Sequence, residues 1–254
     1  MTETVLQTKS RQEAKSQFDM SWKSLYEIGG VAALVEGIAY FMIVAMGPTM
    51  GVAPGNTVAW LNALAAHPQV AVFDYGAVTG IADFALIPIA LALYFALRGV
   101  SKSWMIITVG AILVFVAIDI TTFVATSINL TWLTQNYAAA TDPTVRTAIL
   151  GAEYSLLSGI PLTQLIGYTI WPIVFIIWIA ALFKAKVGRF ARIFGIFTVL
   201  FSMGGGFGFL YPNMTFLVNL QLPACAVFGL FFIGLGYMLL RLPKQGPTES
   251  IDLQ

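Results

Sequence analysis

The feature that most constrains the fold is a series of six long apolar stretches. A helix that crosses the hydrocarbon core of a bilayer, which is roughly 30 Å thick, needs about 20 consecutive and mostly apolar residues. Its backbone amides and carbonyls must also be satisfied without water, and a helix achieves this within one segment. We therefore predict membrane-spanning helices at residues 28–47, 70–97, 104–128, 162–183, 193–211 and 214–240.

The composition excludes most soluble classes of protein. Hydrophobic residues make up 58% of the 254 residues and charged residues only 10%, whereas soluble domains average about 25% charged residues. The mean hydropathy is +0.84, which excludes a nucleic-acid-binding protein and a disordered chain. The chain has one cysteine, Cys225, so a secreted domain stabilised by intramolecular disulfides is excluded as well. The lipid bilayer is the expected environment, and no nucleic acid is expected as a partner.

The basic residues predict how the chain is oriented in the membrane. Short loops that are rich in Lys and Arg remain on the cytoplasmic side. All of the 13 basic residues except Arg146 fall before the first span, between spans two and three, between spans four and five, or after span six. This pattern predicts a multi-pass protein of the cytoplasmic membrane with both termini inside the cell.

The predicted fold is therefore an all-α polytopic membrane protein with one six-helix transmembrane domain, residues 25–244. Polar cytoplasmic tails flank it at residues 1–24 and 245–254. The two longer outer connections are expected to contain short interfacial helices. One runs from Asn56 to Ala66, and the other begins at the Asp142-Pro143 pair, which is typical of a helix N-cap and first turn. We expect the second of these helices to lie along the membrane surface or to cover the outer mouth, and we favour a packed connector over a gate.

Four carboxylates lie within the predicted spans, and no Lys, Arg or His accompanies them there. They are Glu36, Asp74, Asp83 and Asp119. An ionised side chain near the bilayer centre costs about 2.5–3.5 kcal/mol on insertion scales, so such residues usually face the bundle interior or a cavity. The charge must be compensated by protonation, a bound cation, a water-filled cavity or a basic residue of another subunit.

Spacing along the spans predicts where these acids lie. At about 1.5 Å per residue, Glu36 and Asp83 fall at a similar inner depth, while Asp119 and Asp74 fall in the outer third. The four acids are therefore expected to form a stepped path. Small residues share the helix faces of Glu36 and Asp83, which predicts close contact with neighbouring helices. Asp74 faces the opposite side of its span from Asp83.

A purely structural interpretation of these acids also exists. A neutral carboxyl can act as a hydrogen-bonding group between helices, worth only about 0.6 kcal/mol on average. This interpretation, or simple solvation, is favoured for Asp74. For Glu36, Asp83 and Asp119 together we favour a role in proton or cation coupling, because packing alone gives little reason for three costly residues without bases.

Other polar residues near the outer ends of the spans form a candidate pocket. They share a side chain able to donate or accept a hydrogen bond, and they are Thr122, Thr126, Gln164, Tyr168, Asn219 and Gln221. Each of the amide side chains could equally hold two helices together.

No motif predicts catalysis, a metal or a cofactor. The spans contain no Lys for a retinal Schiff base and no His for bis-imidazole haem ligation. The single histidine, His67, lies in a predicted outer loop, and zinc ligands are missing. No nucleotide-binding, metalloprotease or nucleophile motif is present.

Several short segments of the chain resemble a broad family of prokaryotic six-span membrane proteins of unknown function. They are residues 21–30 entering the first span, Asp83 with residues 91–94 and Arg98, residues 189–195, and residues 232–234. The resemblance implies six helices, but it implies no activity and no catalytic residues.

Three functions are compatible with the sequence. The first is a proton- or cation-coupled carrier that uses the intramembrane carboxylates. The second is a non-catalytic membrane subunit or assembly factor, in a hetero- or homo-oligomer, whose acids pair with basic residues of partner helices. The third is an intramembrane enzyme acting on lipid, for which no motif provides support.

Overall fold

The structure, a computed structural model, describes residues 19–50, 66, 78–158, 160–210 and 220–244. Every element in these ranges is helical, as the sequence predicts. The helices are α1 (Lys23–Met50), α2 (Thr79–Ala139), α3 (Pro143–Ser158), α4 (Ile160–Ala185), α5 (Arg189–Leu210) and α6 (Gln221–Arg241), with single 3-10 turns at Met20–Trp22 and Leu242–Lys244. Three stretches are long and apolar enough to cross a membrane, namely Met20–Ala45, Gly80–Ala139 and Pro223–Arg241. The all-helical membrane class is therefore supported.

Helix α2 is bent back on itself at Ser101. The backbone of this residue is extended (φ −162°, ψ 92°) within an otherwise helical segment. Asp83 and Asp119, which lie equally far along the chain on either side of Ser101, are within hydrogen-bonding distance of each other. A straight helix would hold them roughly 54 Å apart. Helix α2 therefore consists of two antiparallel arms, a first arm of residues 79–100 and a second arm of residues 102–139.

This geometry corrects two details of the predicted spans. Helix extends to both sides of Ser101, so the loop expected between residues 97 and 104 is reduced to one non-helical residue. The second arm also continues past residue 128 to Ala139. Pro88 lies inside the helical first arm. Pro223 lies in the first turn of α6, where a proline removes no intrahelical hydrogen bond.

A seam of glycines joins α1 to α6. Gly30 and Gly37 on α1 face Gly236 and Gly229 on α6, and the contacts are reciprocal. A Cβ on Gly37 would lie 2.8 Å from the carbonyl oxygen of Gly229, and a Cβ on Gly229 would lie 3.0 Å from that of Gly37. The seven-residue spacing repeats the contact two turns away, so the two antiparallel backbones approach closely over a long distance.

An ion pair at one end of the bundle fixes α1 against the first arm. The Asp19 carboxylate accepts a hydrogen bond from Arg98 Nη2 at 2.9 Å. The backbone N–H and the hydroxyl of Ser21 also donate to Asp19, and these bonds hold the pKa of that carboxyl below its usual value. Beside the pair, Trp22 stacks on Phe95 with ring centroids 3.6 Å apart. The start of α1 is therefore tied to the end of the first arm.

Helices α3 and α4 together run antiparallel to the second arm. Three contacts keep one register: the guanidinium of Arg146 over the Tyr137 ring, Gly167 against Phe115, and the hydrogen bond from Trp178 Nε1 to Thr108 Oγ1. In each contact the two residue numbers have nearly the same sum. This is expected for two antiparallel helices, because the residue number rises along one helix as it falls along the other. The second arm and α3–α4 therefore form one long helical hairpin.

The helix predicted after Asp142 is confirmed. Pro143 begins α3, and Asp142 caps it by accepting a 2.7 Å hydrogen bond from the Thr144 N–H. A short connection follows Ala139, and α3 turns back and packs along the second arm. The other predicted outer helix, residues 56–66, lies outside the described residues except for Ala66.

The main hydrophobic core lies toward the end that carries Arg98. Its largest fully buried side chains come from every long helix except α5, and include Tyr26, Leu86, Ile89, Leu93, Leu97, Met105, Ile112, Phe175, Trp178, Phe231 and Phe232. The α4–α5 turn packs at the same end, because Gly188 contacts Met238 near the end of α6. We call this end the basic end, since Lys23, Arg98, Lys102, Lys184, Lys186, Arg189, Arg192 and Arg241 lie there.

Candidate functional site

Three of the four predicted acids come together in the bundle interior. Glu36 is 1% exposed, Asp83 is 5% exposed and Asp119 is 9% exposed, and they are contributed by α1, the first arm and the second arm. The Asp83 and Asp119 side chains are within hydrogen-bonding distance. Glu36 lies close enough to interact electrostatically with both. We call these residues the carboxylate cluster.

The helix registers explain why the cluster forms. Asp83 and Asp119 are each eighteen residues from Ser101, so folding at this residue brings them to one level. The Asp19–Arg98 ion pair sets the level of α1 against the first arm. At that register Glu36 lies opposite Asp83, and Gly29, whose added Cβ would lie 2.9 Å from the Pro88 carbonyl oxygen, allows the close approach.

The cluster corrects the stepped arrangement predicted for the acids. The sequence estimate placed Asp119 in the outer third because it measured depth from the predicted end of a span. The structure places Asp119 beside Asp83, at the level set by the bend at Ser101. The prediction that Asp83 and Glu36 face neighbouring helices is confirmed by their burial.

The chemistry of the cluster requires a shared proton. An ionised carboxylate can only accept hydrogen bonds, so a bond between the Asp83 and Asp119 carboxyls exists only if one of them is protonated. Glu36 Oε2 and Asp83 Oδ2 are buried and have no hydrogen-bond partner among the described residues. Leaving three ionised groups unpaired in this position would be costly, because each would lose its hydration without compensation.

No basic side chain balances the cluster in the described part of the chain. The two ion pairs found there are Arg98–Asp19 and Lys23–Glu27, both at the basic end. Within the same ranges, no three side chains of His, Cys, Asp or Glu are arranged to hold a metal ion.

The cluster lies between two apolar regions. On the basic-end side it borders the main core, where Phe115, one turn before Asp119, packs edge-on against Trp171 at 4.8 Å. On the other side Ala39, Val78 and Ala82 form a separate small cluster. The carboxylate cluster is thus the polar layer in an otherwise apolar section of the bundle.

The other predicted site residues are only partly described. Thr122 is half-buried and donates its hydroxyl to the Ile118 carbonyl at 2.9 Å, so it is engaged by its own helix. Asp74 and Asn219 lie outside the described residues. The backbones of Thr126, Gln164, Tyr168 and Gln221 are helical, but their side chains are not described. The pocket expected from these residues stays a prediction.

One buried acid was missed in the sequence. Glu153 on α3 is fully buried, and both of its carboxyl oxygens lack a hydrogen-bond partner in the described ranges. The signal was available, because Glu153 lies one turn after Ile149 on the face that carries the apolar residues of this helix.

Comparisons with protein-family models, with curated proteins and with solved structures find no match to this chain.

Proposed function

We propose that the chain is a six-span protein of the cytoplasmic membrane with both termini in the cytoplasm. The six spans are α1, the two arms of α2, α4, α5 and α6. At about 1.5 Å per residue, each is long enough to cross a hydrocarbon core of roughly 30 Å. Every Lys and Arg residue in the described ranges except Arg146 lies at the basic end, which supports a cytoplasmic location for this end. Labelling of single cysteines, introduced as Ser24→Cys or Ser250→Cys in a Cys225→Ala background, in intact and in permeabilised cells tests this topology.

We further propose that the protein is a proton-coupled carrier of a small solute, with the carboxylate cluster as its proton-binding site. The observation that carries this proposal is the meeting of Glu36, Asp83 and Asp119 in the interior, where one oxygen each of Glu36 and Asp83 has no hydrogen-bond partner among the described residues. Such a group is stable when it holds protons and unstable when it is fully ionised. Its protonation therefore changes the packing preferences of α1 and both arms of α2, which is the requirement for coupling.

The alternative of a subunit that pairs its acids with bases of partner helices has less support. The three carboxyls are enclosed by helices of this same chain, so a partner's Lys or Arg could reach them only if the bundle opened. A lipid-acting enzyme has still less support, because the sequence contains no recognised catalytic motif.

Proton binding by the purified protein tests the carrier proposal. Protein in liposomes is stepped between pH 5 and pH 8, and the protons bound or released are counted with a pH indicator. We expect the wild type to exchange at least one proton more than Asp83→Asn or Asp119→Asn. Glu27→Gln is the matched control, because Glu27 is an exposed acid paired with Lys23 at the basic end.

A positive result justifies a screen for solutes that change the proton count. If the Asp83 and Asp119 variants exchange as many protons as the wild type and the Glu27 control, the cluster does not titrate and the carrier proposal fails. Purification of a stable hetero-oligomer whose partner cross-links near Asp83 would favour the subunit alternative.

A further inference from the structure

The second buried acid, Glu153, lies away from the carboxylate cluster in the hairpin of α3 and the second arm. The second arm is about 57 Å long at 1.5 Å per residue, nearly twice the thickness of a hydrocarbon core. The Arg146–Tyr137 contact sets the register of this hairpin, and it places Glu153 opposite Leu130. Asp119 lies eleven residues from that level, or about 16 Å. Glu153 therefore belongs to a separate site.

The Glu153 side chain is enclosed by the protein, but its carboxyl oxygens have no hydrogen-bond partner in the described structure. The side chain is fully shielded from solvent, and neither carboxyl oxygen has a partner in the described structure. Thr134 on the facing arm is also buried, and its Oγ1 likewise lacks a partner. Side chains on a helix tilt toward its N-terminus, so on antiparallel helices Glu153 and Thr134 lean toward each other. Each of the two helices thus buries a polar group near this level, and neither group has a hydrogen-bond partner in the described structure.

The charged and titratable groups around this site do not compensate an ionised Glu153. Arg146, two turns earlier on α3, is engaged by the Tyr137 ring and by the Ala140 carbonyl at 2.8 Å. Asp142 caps the start of α3. The second arm contributes Tyr137 near this level, and the described side chains of α4, the other helix packed on α3, include no charged group before Lys184.

We propose that Glu153 and Thr134 form a second proton-binding site, which holds α3 against the second arm when Glu153 is protonated and releases α3 when it is ionised. A protonated carboxyl can donate to Thr134 Oγ1 and close the site with one hydrogen bond. An ionised carboxyl would remain buried without a partner, and opening of the hairpin restores its hydration. The inference does not depend on the carrier function.

The expected pH range follows from burial of the carboxyl. Burial raises the pKa of Glu153 from 4.5 to about 7. Because this pKa is raised in the closed form, closure is fully favourable below about pH 4.5 and weakens as the pH rises toward 7. The ratio of open to closed hairpin should rise about tenfold per pH unit in this range, or about 300-fold in total, and should be constant above it.

Hydrogen exchange of the full-length protein in lipid nanodiscs measures this ratio. After correction for the intrinsic pH dependence of exchange, we expect protection of α3 amides to fall between pH 5 and pH 7 in the wild type. In Glu153→Gln, which keeps the shape but cannot ionise, protection should be independent of pH. Amides of α6 serve as the internal control, because this helix does not carry the site.

Two further variants keep the test decisive if Glu153→Gln fails to fold. Glu153→Asp retains the ionisable group and should retain the pH dependence. Thr134→Val removes the acceptor and should reduce α3 protection at pH 5 but not at pH 8. Protection of α3 in the wild type that is flat from pH 5 to pH 8, or that falls equally in α6, would overturn the proposal.

Discussion

At the scale of single residues, some buried polar groups of the bundle are fully hydrogen-bonded and others are not. Trp178 Nε1 donates to Thr108 Oγ1 at 3.0 Å, and that hydroxyl donates in turn to the Met105 carbonyl at 2.8 Å. These two hydrogen bonds satisfy the Trp178 N–H and the Thr108 hydroxyl, and both side chains lie in the main core. In the carboxylate cluster, by contrast, Glu36 and Asp83 each keep an unpartnered oxygen. Buried groups whose hydrogen bonds are all formed favour one packing arrangement. Carboxyl oxygens without a hydrogen-bond partner, by contrast, allow the protonation of the cluster to change.

The first prediction concerns the Thr108–Trp178 hydrogen bond. Thr108→Val keeps the side-chain volume but leaves the buried Trp178 N–H without a partner. We expect a loss of about 1–2 kcal/mol in the free energy of unfolding, since an orphaned donor costs about 1–3 kcal/mol in proteins and membrane interiors give lower values. Unfolding in mixed micelles by increasing SDS measures this loss.

The matched control for this prediction is Thr121→Val on the same arm. The Thr121 hydroxyl donates to the Ala117 carbonyl of its own helix at 2.6 Å, and the residue is exposed. Its replacement should change the free energy of unfolding by less than about 0.5 kcal/mol. Equal losses in the two variants would show that the bond to Trp178 adds nothing to stability.

At the scale of elements, the arrangement depends on where helices approach closely. The seam of Gly30 and Gly37 with Gly229 and Gly236 brings α1 and α6 into backbone contact. In Gly37→Ala, the new Cβ would lie 2.7 Å from Ile233 Cγ1 and 2.8 Å from the Gly229 carbonyl oxygen. Because a backbone oxygen cannot rotate away, the helices must separate. We expect a loss of about 1–3 kcal/mol in stability, measured by the same unfolding assay.

Gly110→Ala on the second arm is the control for the seam. An added Cβ there meets nothing within 4 Å, and alanine favours a helix interior over glycine by about 0.8–1 kcal/mol. This variant should be neutral or more stable than the wild type. If Gly37→Ala is equally neutral, α1 and α6 do not pack as closely as the structure indicates.

The elements also show which parts of the fold the sequence could predict. Hydrophobic length predicted helices over the described parts of all six spans, and the Asp142-Pro143 pair predicted the start of α3. The acids were predicted to face inward from the small residues beside them. Their meeting was not predicted, because it depends on a local backbone bend at Ser101 and on the Asp19–Arg98 ion pair between residues distant in sequence. Glu153 was not predicted as a site residue, because it lies outside the spans, on the connecting helix α3.

At the scale of the whole molecule, the main core of the described residues packs on the basic-end side of the carboxylate cluster. Between Asp83 and the bend at Ser101, the first arm buries Leu86, Ile89, Leu93 and Leu97 completely. This segment is about 27 Å long, and it is packed against α1 and α4 residues of the same core. Water could follow this route only by displacing close-packed side chains. In this conformation the packed core therefore blocks water at the basic end from reaching the carboxylate cluster.

The last prediction is that the cluster exchanges protons much more slowly with the basic end than with the opposite end. In oriented proteoliposomes, a pH step applied on the basic side should produce proton uptake at least about tenfold slower than the same step on the other side. Leu93→Ala should speed uptake from the basic side, because it opens a cavity within the closed segment. Asp83→Asn is the control that identifies the signal of the cluster. Equal rates from the two sides in the wild type would mean that the core at the basic end does not close the path, and that any alternation of access must be sought in other helices.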